Sequence, residues 1–141
     1  MDATEPTVGR GSFQWNAGGW IGAQLGSTLW ILISAGLFIF EEPALARMLL
    51  ACFLVSNAIA LGLWSQRHRI APYPAIQTLV VVMGLAALGA IYAIDHAGRL
   101  LEFEPRLASR PRALYAMLLL YPALMILFAF RERAGRSQPS R

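Results

Sequence analysis

Four apolar runs dominate this chain, each near the roughly 20 residues a helix needs to cross about 30 Å of hydrocarbon. They extend from Trp20 to Phe40, Ala44 to Trp64, Ala75 to Ile94 and Ala113 to Phe130; Arg47, one turn from an end, is the only charge among them. A backbone in lipid has no water to bond, so runs of this length must satisfy themselves as helices. The expected fold is an all-α integral membrane four-helix bundle, up-down in topology, with 1–141 forming a single membrane domain. Composition agrees: only 14% of the chain is charged and 57% is hydrophobic, against about a quarter charged in soluble domains. Helix surfaces that face lipid account for the missing charge.

The boundaries carry physical punctuation. Glu41-Glu42-Pro43 precedes the second run, Pro72-Tyr73-Pro74 opens the third and Pro111 opens the fourth; proline suits a first helical turn, and acids complement the positive end of the helix dipole. Residues 1–18 read as a flexible tail without the basic region of a signal peptide, and 131–141 as a solvated one. The link from Asp95 to Arg110 is the only sizeable loop; its Leu100, Leu101, Phe103 and Leu107 suit a membrane surface, with Pro105 interrupting any continuous helix.

Arginine supplies all twelve basic residues against eight acids. The arginines fall between and beyond the apolar runs, so they read as topology determinants and headgroup contacts, with membrane lipids and no nucleic acid as partners. Seven lie on the side holding both termini and five on the other. The positive-inside rule then puts both termini in the cytoplasm; the expected location is a bacterial inner membrane. Trp15, Trp20, Trp64 and Tyr73 gather at that face and Tyr92 and Tyr115 at the other, as an interfacial belt does.

Two features inside the membrane are candidates for function. Gly18, Gly22 and Gly26 recur every fourth residue, and Gly36 shares their face. Small residues at this spacing let another backbone approach, either within the monomer or in a homo-oligomer or membrane-protein complex. The second feature is a layer of uncharged polar groups. Gln24, Asn57 and Gln77 fall at depths of roughly 6, 10 and 6 Å below one face at 1.5 Å per residue, with Thr28, Ser56 and Thr78 nearby. Tyr121, beside the kinking Pro122, is the contribution expected from the fourth helix. Such groups serve either as glue between helices or as a small polar pocket.

Nothing else points to chemistry. His68 and His96 lie at opposite faces, Asp95-His96 reads as a solvated helix end, and the lone Cys52 lacks a nearby base. No catalytic, metal-binding or cofactor-binding residues are assigned. In size and span count the chain resembles the small multidrug-resistance exporters, whose first membrane helix carries an essential glutamate; none lies between Trp20 and Phe40. It resembles the four-helix glutathione-linked enzymes of the eicosanoid group in architecture, without a matching motif around Asn57.

The sequence therefore suggests a non-enzymatic structural or accessory subunit associating through helix–helix contacts. The alternative is a transporter-like protein that binds lipid or a small solute. Reporter fusions in the 95–110 loop should show it outside the cytoplasm; a cytoplasmic signal there would overturn the orientation.

Overall fold

Each apolar run is helical for most of its length in the computed structural model, which describes residues 13–100 and 113–136. Helix α1 spans Ala17–Leu37, α2 Pro43–Ser65 and α3 Pro72–His96. The fourth span is divided into α4, Ala113–Met117, and α5, Leu120–Arg136. Among the described residues four helical spans are long and apolar enough to cross a membrane, the fourth running from Leu114 to Gly135, so the chain is a multi-pass membrane protein of all-helical fold.

The ends follow from local chemistry. Asn16 caps α1, its side chain accepting from the Gly19 backbone N–H at 3.0 Å. Pro43 and Pro72 are the first residues of α2 and α3, where a missing N–H costs nothing. Gly98, at φ +70°, closes α3: Arg99 N–H reaches the Ile94 carbonyl and Gly98 N–H that of Asp95. This left-handed closure is one glycine makes readily, and it turns Arg99 back toward the α1–α2 turn. There its guanidinium lies 3.6 Å from Glu41 and 3.4 Å from Glu42. The two acids thus tie the loop to the end of α3 as well as preceding a helix.

Helix α1 begins inside the stretch expected as a tail, and residues just before it are packed. Phe13 contacts the rings of Tyr73 and Phe128, and Trp15 those of Trp20 and Trp64. Helix α5 likewise continues to Arg136, beyond the expected end at Phe130. Pro111 and the apolar residues Leu101, Phe103 and Leu107 of the 95–110 link lie outside the described residues.

Burial is inverted relative to a water-soluble bundle. Thr28 and Ser34 are fully buried, whereas Leu85 is 62% and Leu37 65% exposed. Isolated exposed leucines are ordinary, but a continuous coat of them around buried polar groups is the arrangement lipid favours. Helices α1, α2 and α3 pack on one another, and the fourth span rests chiefly on α3. Buried alanines, among them Ala46, Ala60, Ala75 and Ala90, keep the backbones close.

The glycine that brings two helices together is Gly84. A Cβ there would lie 3.1 Å from Cγ of Tyr121, which sits directly over the α3 backbone. The fourth span is irregular just before this contact. Pro122 cannot donate to the Leu118 carbonyl, and Tyr121 N–H takes that carbonyl instead in a tight i−3 bond. By contrast, a Cβ at Gly22, Gly26 or Gly36 would meet nothing within 4 Å. Gly84→Ala should therefore destabilise the protein by about 1–3 kcal/mol through overpacking, while Gly26→Ala should be neutral or stabilising. Thermal unfolding in detergent measures both.

Candidate functional site

The amides meet a simple requirement: in hydrocarbon each donor and acceptor must find a partner in the protein. Gln24 on α1 donates from Nε2 to Oδ1 of Asn57 on α2 at 2.8 Å and to the Asn57 carbonyl at 3.3 Å. Asn57 Nδ2 donates to Thr28 Oγ1 at 3.1 Å and to the Phe53 carbonyl at 2.8 Å. Thr28 returns its own hydroxyl to the Gln24 carbonyl at 2.8 Å. The three side chains form a closed, buried circuit joining α1 to α2. Ser34 and Ser56 bond back to carbonyls one turn earlier in their own helices.

Gln77 lies apart from this circuit. Its Nε2 donates to the Tyr73 hydroxyl at 3.1 Å and, across the helix boundary, to the Met125 carbonyl at 3.0 Å. The carbonyl fixes the orientation of the amide, since the reverse would set oxygen against oxygen. Among the described residues its buried Oε1 has no partner. Gln77 thus links α3 to α5, and the expected layer consists of two separate contacts. Tyr121 belongs to neither: it faces Gly84, seven residues, or about 10 Å, farther along α3 than Gln77.

The open space lies elsewhere. A cleft of about 700 Å³ separates α1 from the fourth span, with α3 as its floor. Gly22, Gly26 and Trp30 form one wall, Met83 and Ala87 belong to the floor, and Tyr121 and Phe128 stand on the far side. The cleft exists because two α1 positions on one face, Gly22 and Gly26, carry no side chain and because the fourth span rests chiefly on α3. Along α3 it extends from Leu79 to Ile91, about 18 Å of helix axis. Its lining carries no ionisable acid or base other than the Tyr121 phenol.

The membrane faces hold structural clusters. At one, the Trp15, Trp20 and Trp64 rings pack with centroids 5.1 to 6.0 Å apart. Trp20 Nε1 donates to the Ala60 carbonyl and Trp15 Nε1 to that of Ile70, while Arg67 lies over Trp64. Trp20 is buried, so these rings also staple α1 to α2, beyond marking an interface. At the other face, Asp95 accepts from the Tyr115 hydroxyl at 2.7 Å and His96 stacks on Tyr92. Asp95 and His96 therefore turn to different partners. Among the described residues no group of three His, Cys, Asp or Glu side chains could hold a metal.

The sequence indicated the amides by residue type and depth, but gave no sign of the cleft. Only the absence of an opposing helix at Gly22 and Gly26 creates it, and glycine spacing reads alike whether a surface is filled or open.

A double-mutant cycle should separate the two contacts. Gln24→Leu and Asn57→Leu are expected to cost about 1–2 kcal/mol each and to couple strongly. Gln24→Leu and Gln77→Leu should be additive in the same unfolding assay. Comparison with known proteins supplies no assignment: no family model, curated protein or solved structure matches this chain.

Proposed function

We propose that this is a non-enzymatic membrane protein that binds a lipophilic molecule in the cleft between α1 and the fourth span. One observation carries the reading: an apolar cleft of about 700 Å³ remains within the fold, and small-molecule sites commonly measure about 300–1,000 Å³. The cleft's elongated, almost wholly apolar lining suits a single acyl or prenyl chain.

The Gln24–Asn57–Thr28 circuit supports this placement, because its amide and hydroxyl donors are turned to partners within α1 and α2 rather than toward a polar solute. They act as glue, and binding falls to the cleft. The arginine count supports cytoplasmic termini.

An accessory-subunit reading retains one observation in its favour. Gly22, Gly26 and Gly36 present an unfilled stripe on which a helix of a second copy or of another membrane protein can lie, across the mouth of the cleft. The two readings separate on one variant. Gly22→Leu with Gly26→Leu puts side chains into the cleft, and native mass spectrometry of protein purified in mild detergent should show about tenfold less bound lipophile than in wild type. An unchanged lipid complement, with loss of a higher-order assembly instead, would move the function to the glycine stripe.

A further inference from the structure

The cleft is lined by three side chains able to donate a hydrogen bond from nitrogen or oxygen: Ser27, Trp30 and Tyr121. Two have already spent their donors. Ser27 Oγ bonds the Ala23 carbonyl at 2.6 Å, and Trp30 Nε1 bonds the Ser27 carbonyl at 3.0 Å. Among the described residues the Tyr121 hydroxyl has no hydrogen-bond partner, and it keeps some accessible surface on a side chain that lines the cleft. A phenol in apolar surroundings ordinarily finds an acceptor, and the bilayer core has no water to supply one.

The depth of Tyr121 narrows what that acceptor is. It lies seven residues inside the Leu114 end of the fourth span, about 10 Å along the helix axis. This is below the headgroup region, where the ester carbonyls of an ordinary phospholipid reside. The ring is held in place, its base packed over Gly84, so the hydroxyl cannot swing far to reach the interface.

Resting on the cleft-binding reading, we infer that the ligand is an elongated lipophile carrying a carbonyl-type oxygen within its hydrophobic body, as a long-chain ketone or quinone does, and that Tyr121 donates to that oxygen. The apolar walls bind the chain and the phenol sets its position along the membrane normal. No covalent or redox step is involved.

The test uses two probes matched in carbon number, decanophenone and decylbenzene, of which only the first has a carbonyl. Full-length protein in detergent, stripped of bound lipid, is titrated with each and the bound fraction measured by native mass spectrometry. Wild type should hold the ketone two- to tenfold more tightly, the worth of one hydrogen bond. Tyr121→Phe, which keeps the ring over Gly84, should bring the ratio to one while leaving decylbenzene binding unchanged. Equal binding of both probes by wild type, or a preference that survives Tyr121→Phe, overturns the role of the phenol but not the cleft. Retention of neither probe by wild type overturns the cleft-binding reading itself.

Discussion

Asn57 carries a buried amide that its own helix satisfies only in part. Its amide gives hydrogen to Thr28 and to the Phe53 carbonyl and takes one from Gln24. The bonds are individually modest, on the order of 0.6–2 kcal/mol in membranes, but they are directional. Turning α1 by one residue would swing Gln24 some 100° away from Asn57 and leave amides unpaired in lipid. The rotation of α1 is thereby fixed, and with it everything on the far side of that helix. Gly22 and Gly26 each stand two residues from Gln24, about 200° around the axis, so a helix pinned through Gln24 turns its glycines away from α2.

The position of the fourth span follows a different rule. Gly84 offers α5 a place to approach, and Tyr121 fills it. The proline that disturbs the helix lies next to this residue, and the lost bond is replaced by a tighter turn. Gln77 then reaches from α3 to the Met125 carbonyl nearer the tryptophan face. Both anchors are on α3. With no comparable anchor on α1, a space persists between the first and last spans.

The number and approximate limits of the spans were legible in the sequence because they depend on hydropathy and length alone. So was the meeting of Gln24 with Asn57, which needs only alternating helix direction and similar depth. What the sequence left open was lateral neighbourhood. Depth placed Gln77 beside the other amides, but it is paired with the fourth span instead, since depth says nothing about which way a side chain points around its axis. Glycine spacing singled out α1, whereas the close contact uses an isolated glycine, Gly84, with no repeat to mark it. The Arg99 pairing with Glu41 and Glu42 was equally hidden, depending on the left-handed turn at Gly98 that aims one loop at another.

The distribution of satisfied polar groups separates what holds this protein together from what it offers. In α1 and α2 the buried donors close on partners within the fold, and 33% and 28% of those spans is buried in protein. In the fourth span only 6% is buried; most of its surface faces lipid or the cleft. On the cleft-binding reading, a cleft bounded by such a helix would be reached sideways by molecules already dissolved in hydrocarbon. Partitioning would admit any such molecule, and apolar walls alone distinguish poorly between them. Discrimination requires a directed polar group that the protein has not consumed in its own packing, and in this lining the Tyr121 phenol is the oxygen or nitrogen donor left to provide it.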